Sequence, residues 1–289
     1  MKDAALIVRV FAPSREHPAP NPENRFSLRA LRLCVGSRRT RVHLSAFVLC
    51  VLCTNASAEP PRAEAVFTAR EPVIDGRLGD TEWAEAKPVT FPSPGGSPGG
   101  PQSEVRFLWT ADGVHVAFRA TDATPAYGHF KPGEPLYQED VFEMFIDQAG
   151  DQRQYYEIQA SPSGQVFIKN YVLTAPPRLT PEGRLTPEFC VSEFWRWDWP
   201  PPEGFQIASR FDGKTGEWTM EMFLPASFVN RRRGGAPMTP CEWRLNLVRH
   251  DWDAPRDAAD RKARFFYWAP ILEGHPHMSP TRMGYLEFR

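Results

Sequence analysis

The sequence has few cysteines and lacks a hydrophobic run long enough to cross a bilayer. Of the five cysteines, only Cys190 and Cys241 follow residue 58. They leave room for one disulfide in an oxidising compartment, with two free buried thiols as the alternative. The apolar stretch from Leu44 to Leu52 is far shorter than the ~20 residues that span a membrane, so no permanent membrane span is predicted.

The sequence also lacks several common catalytic motifs, and the part of the chain after residue 58 has no excess of basic residues. The chain has no phosphate loop, no His-Glu-x-x-His and, after the leader, no Cys-x-x-Cys. Residues 1–58 carry nine Lys and Arg against three Asp and Glu, which leaves 25 basic and 32 acidic residues from Glu59 onward. A net charge of about −7 on that body argues against a nucleic-acid partner.

The first 58 residues have the pattern of a leader that ends in a signal peptide. Arginines at positions 38, 39 and 41 precede the apolar run, and Ala56-Ser57-Ala58 supplies the small residues that a signal peptidase requires. The cysteines at positions 50 and 53 would suit a lipoprotein signal, but the usual small residues do not precede them. We therefore predict cleavage after Ala58, export to the periplasm or the extracellular space, a linker over 59–70 and one domain over 71–289.

The rest of the chain has the pattern of an all-β domain. Short runs of β-branched and aromatic residues alternate with turns rich in Pro and Gly, and no long 3.6-residue period appears. The clearest unit is a hairpin whose turn is Ala111-Asp112-Gly113. About ten strands are predicted, enough for an antiparallel two-sheet β-sandwich with long loops. These strands are Val105–Trp109, Val114–Phe118, Val141–Asp147, Tyr155–Ala160, Val166–Asn170, Gln206–Phe211, Trp218–Leu224, Trp243–His250, Phe265–Trp268 and Tyr285–Phe288.

Seven motifs follow one another from residue 72 onward. The first is Pro72–Leu78 followed by Trp83, and the second is the hairpin within Val105–Asp122. The acidic strand Glu139–Asp147 and the strand Trp218–Pro225 come next. Three shorter motifs close the series: Leu245–Arg249, Trp268-Ala269-Pro270 and Met283–Phe288. In this order the motifs resemble carbohydrate-binding modules of family 9, which share a DOMON-like β-sandwich.

The resemblance implies a secreted module that holds a mono- or oligosaccharide end without catalysis. In such modules two tryptophans clamp a terminal sugar ring while polar side chains bind its hydroxyls. Here Tyr137 and His277 stand where the clamp tryptophans are expected. Glu143 occupies the place of a sugar-contacting glutamate, and Glu157, with Gln159 on the same strand face, replaces an arginine.

Further candidates come from loops and strand ends. Trp197, Trp199 and Trp252 lie outside the strand patterns and would supply another aromatic platform, with packing against the sandwich as the alternative. Asp122 and Asp140 stand at strand ends, where carboxylates often meet a hard cation, and the resemblance implies calcium in some members.

Two other functions stay open at this point. A related branch of the fold holds haem b between axial residues, and His275, His277 and Met278, with Met220 and Met222, would be the candidates here. A glycoside hydrolase would need two carboxylates around a glycosidic bond, with Asp140, Glu143, Glu157 and Glu221 as candidates. If the protein only binds sugar, the resemblance implies a separate glycoside hydrolase as its partner in breaking down polysaccharides of the xylan or cellulose type.

Overall fold

The computed structural model describes most of the chain from residue 59 onward. The described residues are 59–79, 81–91, 103–128, 130–131, 134–173, 190–193 (backbone only), 201–271, 276 and 279–289. The chain divides into two compact units, Met1–Asn55 and Ala56–Arg289. Every described residue lies in the second unit.

Strands make up nearly all of the regular structure in the described residues, which confirms the all-β prediction. The thirteen strands are β1 (Arg62–Phe67), β2 (Val89–Thr90), β3 (Ser103–Thr110), β4 (Gly113–Thr121), β5 (Val141–Asp147), β6 (Gln154–Ala160), β7 (Val166–Leu173), β8 (Cys190–Glu193), β9 (Gln206–Asp212), β10 (Glu217–Pro225), β11 (Glu242–Trp252), β12 (Ala263–Tyr267) and β13 (Gly284–Phe288). One short α-helix, α1 (Ala226–Val229), and two 3₁₀ turns at Arg231–Arg233 and Pro280–Arg282 complete it. All ten predicted strands are present, and β1, β2 and β8 are additional.

The strands join into one continuous curled sheet. Their order is β8-β7-β6-β5-β11-β13-β1-β3-β4-β10-β9, with β12 beside β11 and β2 beside β3. Nearly all neighbours are antiparallel, but β1 runs parallel to both β13 and β3. Residues 62–65 of β1 pair with β13 and residues 66–67 pair with β3, so β1 connects the two halves of the sheet.

Two sequence predictions are corrected by these strands. Residues 59–70 are not a linker, because β1 lies inside them and pairs on both sides. Cys241 is a free, half-buried thiol, and burial raises its pKa. Cys241 directly precedes β11. Cys190 lies on β8, four strands away in the sheet order, which corresponds to roughly 19 Å at the usual strand spacing. A disulfide needs Cα atoms within about 7 Å, so the predicted bond is not formed.

One hydrophobic core lies between the two halves of the curled sheet. Alternation along β4 and β5 directs every second side chain inward, and Phe118 stacks on Phe142 with ring centroids 4.5 Å apart. Trp218 on β10 meets Phe118 edge-on at 4.7 Å. All three are almost fully buried, and each contributes about 2–3 kcal/mol of burial free energy.

The segment before β2 is held against the outer face of β10 by one carboxylate. Glu221 is fully buried and accepts hydrogen bonds from the backbone N–H groups of Asp75 and Gly76 at 2.9 and 2.8 Å. The indole N–H of Trp83 donates to its other oxygen at 2.9 Å. Burial raises the pKa of Glu221 and these donors oppose the change. Glu221 is therefore a structural residue, not a candidate catalytic acid.

Among the described residues, no helix has the length and apolar character required to span a bilayer.

Candidate functional site

Strand alternation brings three of the predicted site residues together on the outer face of β5 and β6. Phe142, Met144 and Ile146 point into the core, so Glu143 points to the opposite face. The register pairs Glu143 with Gln159 and Phe145 with Glu157, which places the three polar side chains side by side. All three are at least 95 % buried within the folded chain.

Glu157 is the centre of a hydrogen-bond network on this face. Its carboxylate accepts a bond from the hydroxyl of Tyr171 at 2.7 Å and another from the side-chain amide of Gln159 at 2.5 Å. The oxygen of Gln159 in turn accepts the backbone N–H of Leu136 at 2.7 Å. Burial, followed by the charge of Glu143, raises the pKa of Glu157 to about 7. The face therefore holds two carboxylates, one of which takes a proton near neutral pH.

Tyrosines and a lysine line the β7 and β12 sides of this face. Tyr171 stacks on Tyr155 with ring centroids 5.2 Å apart, and the ammonium of Lys169 lies 4.5 Å from the centre of the Tyr171 ring. Burial, and then the charge of Glu143, raise the pKa of Tyr267 to about 12. Their hydroxyl groups stay protonated at neutral pH and can donate hydrogen bonds.

His250 joins this group, although the sequence analysis did not single it out. The register of β11 against β5 pairs Val248 with Glu143, and alternation places His250 on the same face. Its Nε2 atom lies 3.4 Å from a carboxylate oxygen of Glu143. Its Nδ1 atom donates to the carbonyl oxygen of Tyr137 at 3.0 Å. The alternation of Asn246, Val248, His250 and Trp252 was the signal that could have identified it.

Tyr137 presents an exposed ring on a firmly held backbone. Its side chain is 45 % exposed, beside the buried polar group. Its carbonyl oxygen accepts from both His250 and the indole N–H of Trp252, the latter at 3.2 Å. The next carbonyl, that of Gln138, accepts from the guanidinium of Arg261 at 2.6 Å. A rigid backbone lowers the entropy lost when a ligand stacks on the ring.

Two more aromatic rings stand beside Tyr137. The guanidinium of Arg261 covers one face of the Trp252 indole at 3.8 Å, and Trp252 is half-buried. Phe265 on β12 is 40 % exposed and meets the His250 ring edge-on at 4.7 Å. Phe265 falls within a predicted strand, and no sequence motif marks it as a site residue. Trp252 therefore contacts the Tyr137 carbonyl oxygen, and Phe265 contacts the His250 ring that bonds to the same oxygen.

The two carboxylates predicted to bind a metal, Asp122 and Asp140, lie together at the far end of β11. Asp251, which no sequence motif marks, lies beside them, and all three are buried with one oxygen of each within 4.8 Å of the others. Burial, and then the charge of Asp122, raise the pKa of Asp140 to about 8. Each oxygen of Asp140 already accepts a backbone N–H, from Ala126 at 2.5 Å and from Trp252 at 2.7 Å.

A guanidinium already occupies much of this acidic cluster. The Nη2 atom of Arg249 lies 3.0 Å from Asp122 and 3.3 Å from Asp251. Calcium takes six to eight oxygen ligands, and these three side chains supply too few beside a resident cation. The residues present thus fit an arginine-neutralised, partly protonated cluster better than a calcium site, and calcium stays a prediction.

Several predicted residues lie outside the described part of the chain. These are Trp197, Trp199, His275, His277 and Met278. Met220 and Met222 are described, and both are fully buried in the core between the two halves of the sheet. Their sulfur atoms therefore do not face a surface haem site, which removes two of the ligands considered for that alternative.

Residues 74–167 match the family model described as "Carbohydrate family 9 binding domain-like". This match confirms the resemblance to family 9 carbohydrate-binding modules that the sequence motifs indicate. No curated protein matches the sequence significantly.

Solved structures share the fold at low sequence identity. A family 9 carbohydrate-binding module from Caldicellulosiruptor kristjanssonii, in complex with cellotriose, is 14% identical with a TM-score of 0.52, covering 79% of this chain and 94% of its own. A family 9 module from the same organism in complex with glucose is also 14% identical, with a TM-score of 0.51, covering 79% of this chain and 96% of its own. A protein from Bacteroides uniformis ATCC 8492 is 15% identical with a TM-score of 0.57, covering 80% of this chain and 100% of its own.

Proposed function

We propose that this domain is a non-catalytic carbohydrate-binding module whose sandwich-type fold holds a mono- or oligosaccharide end on the outer face of β5, β6 and β11. The observation that carries the proposal is the exposed Tyr137 ring, fixed by its backbone beside buried Glu143 and Gln159. A pyranose has an apolar face that stacks on an aromatic ring and a rim of hydroxyls that needs donors and acceptors. Here Tyr137 supplies such a ring in the turn before β5, and the polar side chains lie on the outer face of β5 and β6.

Several finer parts of the proposal rest on the sequence. We propose export through the signal peptide, a role in the breakdown of cellulose- or xylan-type polysaccharide, and a separate glycoside hydrolase as the catalytic partner. The family match and the cellotriose and glucose complexes of the related module support the ligand class. They motivate cellotriose, glucose and xylotriose as the first probes.

Isothermal titration calorimetry of the domain with these three sugars tests the binding proposal. Tyr137→Ala is expected to weaken binding roughly tenfold, because aromatic contacts contribute about 0.5–1.5 kcal/mol beyond the apolar area that they bury. Tyr127→Ala is the matched control. Tyr127 is similarly exposed, at 39 %, but packs against Phe211 on β9 instead of the candidate site. Absence of binding by the wild type with all three sugars, or equal losses in the two variants, would overturn the proposal.

Catalysis by the domain itself is a second candidate because one observation favours it. Glu157 has a pKa of about 7 and is coupled electrostatically to Glu143, and a pair of carboxylates in different protonation states is what glycoside hydrolysis requires. However, both oxygens of Glu157 already accept hydrogen bonds. Release of reducing ends from xylan or cellulose that disappears in Glu143→Gln would establish catalysis. If no reducing ends are released, sugar binding without catalysis stays the proposed function.

Calcium is tested separately. Thermal unfolding is compared in excess CaCl₂ and in EDTA, and a site formed by Asp122 and Asp140 would raise the melting temperature with calcium. Equal melting temperatures would refute calcium binding at this cluster.

A further inference from the structure

His250 is the buried side chain that connects the exposed and the buried parts of the candidate site. It is 7 % exposed, with Nδ1 3.0 Å from the carbonyl oxygen of Tyr137 and Nε2 3.4 Å from the carboxylate of Glu143. A carbonyl oxygen and an ionised carboxylate can only accept hydrogen bonds. The ring can therefore serve both of them only when both nitrogens carry a proton.

The charged and titratable groups around the ring favour that doubly protonated form. Glu143 faces it from β5 and Glu157 lies beyond on β6, while Tyr267 on β12 interacts with the same Glu143 carboxylate. Phe265, also on β12, packs edge-on against the ring and carries no charge. Burial lowers the pKa of His250, but Glu143, the Tyr137 carbonyl and Glu157 together raise it above its usual 6.5.

We propose that His250 is a positioning residue of the saccharide site, whose doubly protonated ring holds the Tyr137 platform and the Glu143 carboxylate in one fixed arrangement. The proposal rests on the proposed function, since the arrangement matters for a ligand that contacts both groups. It assigns to this histidine a role that the sequence motifs do not indicate.

A pH dependence follows from the number of protons on the ring. With one proton, the ring can donate to Tyr137 or to Glu143, and its remaining lone pair faces the other acceptor. Because the pKa of the folded state lies above 6.5, the contribution of the doubly protonated ring is complete below pH 6.5. It is lost as the pH rises through the folded-state pKa. Saccharide binding should therefore be strongest in mildly acidic solution and weaken in alkaline solution.

One arm of the test needs no ligand. Nitrogen-15 NMR of the histidine side chains, with the His250 signals assigned by their loss in His250→Phe, follows both of its ring nitrogens from pH 5 to 9. We expect two bound protons at pH 6 and titration above 6.5. Hydrogen exchange of the Leu136 and Glu139 amides, which lie beside Tyr137, should be roughly tenfold faster in His250→Phe at pH 6. A ring that titrates below 6.5, or unchanged exchange, would overturn the proposal.

The second arm measures cellotriose affinity against pH. Wild type should bind roughly tenfold more weakly at pH 9 than at pH 6, whereas His250→Phe should be weak and independent of pH. His250→Gln keeps one donor and should be intermediate, which covers the case in which the Phe variant does not fold. His115→Leu, which alters a buried histidine on the other half of the sheet, should keep the wild-type profile.

The two proposals fail in different ways. A pH-independent affinity in the wild type overturns the positioning role but leaves sugar binding in place. If the wild type binds no sugar at any pH, the proposed function fails, and the NMR and exchange arm alone decides whether His250 fixes the Tyr137 backbone.

Discussion

Replacing His115 should stabilise the protein, increasingly so at lower pH. His115 lies on the outer face of β4, is 2 % exposed, and packs against Leu108 and Phe223, whose ring centroid is 4.7 Å away. Within the described part of the chain, neither ring nitrogen has a hydrogen-bond partner. A buried polar group without a partner costs about 1–3 kcal/mol, so His115→Leu should gain about 1 kcal/mol near pH 7.5.

The pH dependence of the free energy of unfolding gives a larger and more specific effect. Burial lowers the pKa of His115 to about 4, from an ordinary value of 6.5. The unfolded chain therefore takes up a proton between pH 6.5 and 4 that the folded protein does not, and stability falls as the pH falls through this window. At pH 4.5 the loss amounts to about 2.5 kcal/mol at 1.36 kcal/mol per pH unit. His115→Leu should avoid that loss.

Urea denaturation followed by tryptophan fluorescence at pH 7.5, 6.0 and 4.5 checks this prediction. The advantage of His115→Leu over the wild type should grow from about 1 to about 3.5 kcal/mol across the series. Phe223→Leu is the control, since it changes the same contact without a titrating group and should shift stability equally at each pH. If the curves of His115→Leu and the wild type stay parallel, His115 is not a buried neutral histidine and the reasoning fails.

Three further substitutions test how the fold is held together. Glu221→Ala should cost about 3 kcal/mol, because two buried donors and one partly buried donor lose their acceptor, as measured by chemical denaturation. Arg249→Met should cost about 3–5 kcal/mol in the same assay, because it leaves buried carboxylates without their cation. Gly284→Ala should lower the melting temperature, because the new Cβ would lie 2.5 Å from the carbonyl oxygen of Pro61 and 2.8 Å from the Trp268 ring.

Each of these predictions has its own contrary result. A Glu221→Ala protein as stable as the wild type would show that water satisfies the donors. Arg249→Met of unchanged or increased stability at pH 7 would show that the acidic cluster is neutralised by protons alone. An unchanged melting temperature in Gly284→Ala would mean that the backbone near residue 61 moves aside without cost.

Strand positions could be predicted because they depend on neighbouring residues. Val105–Trp109 and Val114–Phe118 alternate around a turn, and the structure forms that hairpin as β3 and β4. The strand β1 was missed because its partners lie far along the chain. Arg62 pairs with Tyr285 and Val66 with Leu108, and no local pattern encodes a parallel pairing of that kind.

The residues of the candidate site also divide into those that the sequence could predict and those that it could not. Glu157 and Gln159 lie two residues apart on one strand, so their common face could be predicted, whereas the register that brings Glu143 beside them could not. His250 and Phe265 could not be assigned to that face, because the position of β11 and β12 beside β5 depends on long-range pairing. The disulfide prediction failed for the same reason, since counting cysteines gives no distance across a sheet.

By itself, the sequence determined an acidic all-β domain with the motif order of family 9 carbohydrate-binding modules, because strand patterns and motifs are local. Tertiary structure decided which side chains meet. It showed that Tyr137 is exposed on a backbone held by His250 and Trp252, and that Arg249 lies among the carboxylates expected to bind calcium. These arrangements depend on strand order and register, which arise when distant segments bury their apolar faces together.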